Sequence, residues 1–281
     1  MNASDSFRVV VAILWVGIAC GQTPPAYPPS TPFLRIETGM HTATIVGIDV
    51  DAAERFLVTA SDDKTARVWD LHDGKLLQIL RPPQGDGSEG MLYAAAISPD
   101  GNTIAVGGYT GPDEGPYSAY LFDRASGKLI RSIPGFPGRI DHFSYSSDGR
   151  YLAVALHGGY GIRLYRSSDY SEVARDTDYS DNCYWAEFDR RGRLVTASYD
   201  GFVRLYDERF HLIAKKAALG GKQPYSARFS PDGSQIAIGF NDTTSVNVLS
   251  GHDLSFLYAP QTPTGAGDIS SVAWSRDGRT L

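Results

Sequence analysis

A turn signal that returns after 47, 48, 43, 41 and 45 residues constrains this chain more than any other feature of its sequence. Its copies are Ser98-Pro99-Asp100-Gly101, Ser146-Ser147-Asp148-Gly149, Asp189-Arg190-Arg191-Gly192, Ser230-Pro231-Asp232-Gly233 and Ser275-Arg276-Asp277-Gly278. In a degenerate first copy, Asp51-Ala52-Ala53-Glu54, the glycine's place is taken by Glu54. A short apolar run precedes each turn, as in Ile45-x-x-Ile48-x-Val50 and Cys183-x-x-Ala186-x-Phe188, and a second follows it, as in Leu57-Val58-Thr59-Ala60 and Ile236-Ala237-Ile238. Third runs such as Ala66-Arg67-Val68-Trp69-Asp70 and fourth runs at 76–80, 129–133, 172–175, 212–216 and 254–258 complete each copy. Helical repeats of similar length would need apolar residues at i, i+3 and i+4, a pattern that does not compete here.

Four short antiparallel strands per repeat is the signature of one blade of a β-propeller. The expected fold class is therefore all-β, with complete blades over about 38–80, 88–133, 136–176, 179–217 and 220–258 and a partial sixth at 265–281. Hydrophobic residues at 42% against 21% charged supply enough core for such a domain and exclude disorder over most of the chain. A net charge of −6 argues against a general electrostatic grip on nucleic acid. Two cysteines, Cys20 and Cys183, make neither a disulfide framework nor a zinc-site spacing.

From about residue 33 to 281 the details resemble the WD40-repeat family. Gly39-Met40-His41 followed by Ser61-Asp62-Asp63-Lys64-Thr65-Ala66-Arg67-Val68-Trp69-Asp70 is the clearest copy. Ser198-Tyr199-Asp200-Gly201-Phe202-Val203-Arg204-Leu205-Tyr206-Asp207 and Asp242-Thr243-Thr244-Ser245-Val246 repeat parts of it. The resemblance implies that His41, Ser61, Asp63 and Trp69 form a buried structural hydrogen-bond relay rather than a catalytic triad. It also implies that residues 33–37 (FLRIE) form an outer strand completing a last blade. Since the sequence stops within a sixth repeat, a C-terminally truncated propeller is expected.

The N-terminus is read separately. Residues 9–19 (VVVAILWVGIA) are too short for a bilayer-spanning helix but fit the apolar region of an export signal. The domain reading is a signal peptide at 1–21, a Pro-rich linker at 22–32 and a propeller from 33, in an exported, periplasmic or extracellular protein. Cleavage before Cys20 or before Gln22 both satisfy the small-residue rule. Gly17-Ile18-Ala19-Cys20 also resembles the lipid-attachment box of bacterial lipoproteins, with Gly17 where Leu is usual, so a lipid anchor at Cys20 stays open.

No metal, cofactor or catalytic motif is expected: the histidines fall singly, Cys183 sits at an inward strand position, and no phosphate-cradling loop occurs. Family geometry instead places a recognition surface on the narrow face around the central channel. The positions it implies are Asp62, Tyr93, Arg139, Asp141, Asn182, Tyr184, Tyr199, Gln223, Tyr225 and Asn241, since rigid aromatics and Arg dominate binding energy. A loop after Gly108, six residues longer than its counterpart in the first blade, would add Tyr109, Asp113, Glu114 and Tyr117. The expected function is a non-catalytic scaffold for a protein or peptide partner. Two alternatives are the sensory half of a larger protein, as in exported WD40 segments that precede a caspase-like peptidase domain, and a TolB-like periplasmic propeller.

Overall fold

The computed structural model describes residues 39–112, 115–262 and 267–281. The expected signal peptide, linker and outer strand at 33–37 lie outside the described residues, as do Asp113 and Glu114. Twenty strands are described, grouped into five antiparallel four-stranded sheets, each paired in chain order. The blades span 45–80, 92–136, 140–176, 183–217 and 224–258. Their inner strands are Ile45–Val50, Leu92–Ile97, Ile140–Tyr145, Cys183–Phe188 and Pro224–Phe229. The all-β propeller fold read from the repeats is the fold observed.

Apolar packing lies between blades. Val58, Ala60 and Val68 of blade one pack with Ile97, Ile104 and Val106 of blade two. Phe136 and Ala119 of blade two pack with Phe143 and Val154 of blade three, Ala153 and Leu164 with Cys183 and Leu194, and Val195 and Leu205 with Ile236 and Ile238. Residues 267–281 continue the arrangement with a single bridge between Phe240 and Ile269 and a bond from the Trp274 indole Nε1 to the Arg228 carbonyl at 3.0 Å. No sixth sheet forms among the described residues.

The turn that announced the repeat comes in two chemical versions. In the serine version, Ser98 Oγ donates to Asp100 Oδ1 at 2.5 Å and accepts the Thr103 amide at 2.9 Å; Ser146, Ser230 and Ser275 do likewise. In the aspartate version, Asp51 and Asp189 accept the turn amides, including those of Arg55 and Arg193. Each arginine folds back on its aspartate and then reaches the next blade. Arg55 Nη2 donates to the Asp100 carbonyl at 2.8 Å, and Arg193 to the carbonyls of Gly233 (2.6 Å) and Gly251. Gly233 is favoured as glycine on two counts: its φ is +71°, and a Cβ would stand 2.9 Å from Arg193 Nη2. Glu54 adopts the same left-handed conformation, φ 55°, in the turn where no glycine is present.

The two arginine staples differ in burial, with side-chain exposure of 8% for Arg193 and 51% for Arg55. Both partner carboxylates are buried, so the ranking rests on the guanidinium: Arg193→Met should cost about 3 kcal/mol because nothing replaces its bonds to Asp189 and two carbonyls, and Arg55→Met clearly less because water can take the place of its half-exposed head group. Urea denaturation of the two variants measures the difference; equal losses would refute the ranking.

Candidate functional site

Blade one contains a polar relay, with one member other than expected. Asp63 Oδ2 lies 2.9 Å from His41 Nδ1, His41 Nε2 lies 2.7 Å from Thr59 Oγ1, and the Trp69 indole donates to the same Thr59 oxygen at 2.9 Å. Thr59, on the second strand, holds the place assigned to Ser61. Ser61 instead ties the loop, accepting the Asp63 amide at 3.1 Å and donating to the Ala43 carbonyl at 3.3 Å. The reason is register: Thr59 pairs with Arg67, two residues from Trp69, while Ser61 stands at the strand end. Burial alone would raise the Asp63 carboxyl. The Thr65 hydroxyl, the Thr42 amide and His41 outweigh it and hold the carboxyl below its usual range.

Blade four rebuilds this relay in other residues. The Tyr179 hydroxyl lies 2.8 Å from Thr196 Oγ1 and 3.0 Å from the Tyr206 hydroxyl, which donates to Asp176 Oδ2 at 2.8 Å. Arg204, wholly buried, stacks 3.8 Å from the Tyr179 ring centre and pairs with Asp200 at 2.6 Å. Thr196 and Tyr206 answer to Thr59 and Trp69, and Tyr179 does the work of the histidine.

The face at the channel mouth is set by a bulge repeated in every blade. Pairing of the inner with the second strand skips one residue near its start, between Ile45 and Gly47, Leu92 and Ala94, Ile140 and His142, Cys183 and Trp185, and Pro224 and Ser226. The skipped residues are Val46, Tyr93, Asp141, Tyr184 and Tyr225. A bulge frees its extra residue from the ladder and re-aims the side chain. Tyr184 stacks on Tyr225 with ring centres 5.0 Å apart, and Tyr199 lies 4.3 Å from Tyr184. Tyr93 meets Tyr109 edge-on at 5.4 Å.

Arg139 braces the Tyr93–Tyr109 pair. Its guanidinium lies 4.2 Å from the Tyr93 ring centre and 4.8 Å from that of Tyr109. It donates to Asp141 Oδ1 at 2.6 Å and to the Tyr109 hydroxyl at 2.7 Å. His157 Nδ1 lies 2.9 Å from Arg139 Nη2 and 3.0 Å from Asp141 Oδ2. Arg139 and Asp141 are only 7% and 8% exposed, so they support the tyrosines rather than present themselves to a partner. Asp62, half-buried, has an Oδ1 with no hydrogen-bond partner among the described residues; its carboxyl is pushed up by burial against the opposing pull of Arg139. Asn182 accepts the Gly158 amide at 2.7 Å, and the Asn241 amide donates to the Gln223 carbonyl at 3.0 Å. The expected site residues thus fall on inner-strand starts and adjoining loops. Tyr117 departs from expectation: it is 6% exposed and opens the third strand of blade two.

Deeper in the channel, a cavity of about 240 Å³ is bordered by Asp49, His142, Glu187 and Arg228. Burial pushes Asp49 up to about 6, and burial with Arg228 pushes His142 down to about 3. Cys183 is fully buried and its thiol pKa is pushed up, mainly by that burial. No cluster of three metal-ligating side chains occurs among the described residues, and no helix there is long and apolar enough to cross a membrane.

The relay is expected to act on stability alone. Asp63→Ala should lower stability by about 1–3 kcal/mol near neutral pH. Because the folded-state pKa is lowered, that contribution is present above the usual carboxylate pKa and is lost as pH falls through the lowered value. Melting curves of the two proteins should therefore converge on acidification; a gap that stays constant with pH would refute the assignment.

Residues 35–70 match the WD40 repeat, described as WD domain, G-beta repeat. Over 277 residues the chain is 24% identical to a guanine nucleotide-binding protein subunit beta of Nicotiana tabacum, covering 93% of this chain and 71% of that one. A guanine nucleotide-binding protein subunit beta of Arabidopsis thaliana is 22% identical over 264 residues, 86% of this chain and 65% of the relative. Pre-mRNA-processing factor 19 of Oryza sativa subsp. japonica is 25% identical over 210 residues, 72% of this chain and 38% of the relative. The repeat match, these relatives and the five four-stranded sheets together support a WD40-type β-propeller.

Proposed function

We propose that this chain is a non-catalytic interaction scaffold that takes a protein or peptide partner on the tyrosine-lined mouth of its channel. The observation that carries the reading is the contiguity of Tyr93, Tyr109, Tyr184, Tyr199 and Tyr225. Their rings meet in two groups, Tyr93 with Tyr109 and Tyr184 with Tyr199 and Tyr225, and the first is braced by the buried Arg139–Asp141 pair. Aromatic rings fixed in this way lose little conformational freedom on binding, which is how a few residues come to dominate an interface. Relatives named as subunits of a larger protein fit a chain that works in assembly with others. In this reading the chain acts outside the cytoplasm, as the apolar run at 9–19 and the small residues after it support.

The test is a combined Tyr93→Ala, Tyr184→Ala and Tyr225→Ala variant used as bait beside the unaltered chain. The variant should keep its β-sheet circular dichroism and lose at least about tenfold in partner capture. Full capture by a stably folded variant would remove the function from this face.

A further inference from the structure

The chain holds its own arginines in one recurring way. Arg139 lies between Tyr93 and Tyr109 and pairs with Asp141. Arg204 stacks on Tyr179 at 3.8 Å and pairs with Asp200 at 2.6 Å. Arg228 sits 4.5 Å from the Trp185 ring centre and 2.8 Å from Glu187. The chemistry is the same each time: a flat, weakly hydrated guanidinium lies against a ring while a carboxylate takes its N–H groups.

Another assembly of that chemistry opens onto the channel mouth. Tyr184, Tyr199 and Tyr225 form a partly exposed cluster, and no Lys or Arg of the described chain lies over any of their rings. Two carboxylates stand beside it. Asp242 is fixed by accepting the amides of Lys222 at 2.8 Å and Gln223 at 3.2 Å, next to Tyr225. Asp268 is exposed and precedes Ile269, whose backbone bonds to Phe240 and Thr243 hold it against blade five. Both carboxylates are close enough to act on the Tyr199 hydroxyl, whose pKa is raised first by burial, then by the neighbouring tyrosines, then by these two charges.

We propose that this corner of the mouth receives an arginine side chain of a protein partner, its guanidinium stacked on the Tyr184–Tyr199–Tyr225 cluster and ion-paired with Asp242 and Asp268. The inference rests on the proposed use of this face and adds the chemistry of the partner. Arginine is favoured over lysine because the contact is planar; an ammonium would keep more of its water.

The probe is the blocked peptide Gly-Gly-Arg-Gly-Gly, titrated into the full chain carrying ring-labelled tyrosine, with the lysine and citrulline peptides alongside. Citrulline keeps the shape of the head group and removes its charge. The arginine peptide should move the ring resonances of Tyr184, Tyr199 and Tyr225 and bind about tenfold more tightly than the citrulline peptide. Lysine should fall between, and Asp268→Asn, at an exposed position, should weaken arginine binding several-fold without changing the melting temperature. Tyr199→Leu should weaken it as well. Equal shifts from arginine and citrulline at the same rings would overturn the arginine assignment while leaving the face in use. Unmoved rings at millimolar peptide would overturn this corner, even if the triple tyrosine variant still lost its captured partner. Undiminished binding by Asp268→Asn and Tyr199→Leu would overturn it too.

Discussion

Each sheet in this protein has two faces to bury and only the next sheet to bury them against, and the rest of the structure depends on that packing. The second and third strands carry small and branched side chains with no exposed surface, such as Val58, Ala60, Val154, Val195 and Val203. Burying each is worth about 1.5–3 kcal/mol for the larger ones. Because the apolar contacts run from blade to blade, no single blade can be stable alone, and the angular position of every loop follows from a face-to-face fit. What the apolar packing does not fix is the register between blades. At two junctions the arginine staples supply that: Arg55 and Arg193 each read a carbonyl on the following turn, and a one-residue slip would leave that carbonyl unpaired.

The period and the strand pattern were legible because a blade is a local object. A turn that favours a left-handed glycine, flanked by short apolar runs, is written in neighbouring residues, and each of the five inner hairpins closes where its Asp-containing turn stands. Glu54 shows the same rule under strain, adopting the glycine conformation because Asp51 and Arg55 hold the turn in place.

What was not legible depends on contacts between strands. Ser61 and Thr59 both sit on the same strand two residues apart, and only the pairing of Thr59 with Arg67 decides which hydroxyl meets the Trp69 indole. Tyr179 replaces a histidine in the relay of blade four, which no spacing rule announces, since a phenol and an imidazole reach Thr196 from different backbone positions. Arg139 and Asp141 are expected among the recognition residues because family geometry places their positions on the narrow face and Arg is common among residues that dominate binding. Their burial follows from each satisfying the other beneath the rings of Tyr93 and Tyr109. The inner-strand bulge is likewise invisible along the chain. Two residues opposing one is a fact about pairing, yet it decides that Tyr93, Tyr184 and Tyr225 stand free of the ladder.

Polar groups in this propeller therefore do two separable kinds of work. In the relays and staples the polar groups bond within the chain, and the interaction specifies register at a desolvation cost that the apolar packing offsets. At the channel mouth the polar groups are arranged to hold aromatic rings still. Arg139 is the clearest case: it is spent internally, since its guanidinium is occupied by Asp141, Tyr109 and His157 and stacked on Tyr93. A group so fully engaged has nothing left to offer a partner, but it fixes rings that would otherwise be free to rotate. In the proposed reading the binding capacity of the face then lies with the tyrosines on the blade four and blade five side, where the same ring-and-carboxylate chemistry is present and a partner would bring the guanidinium.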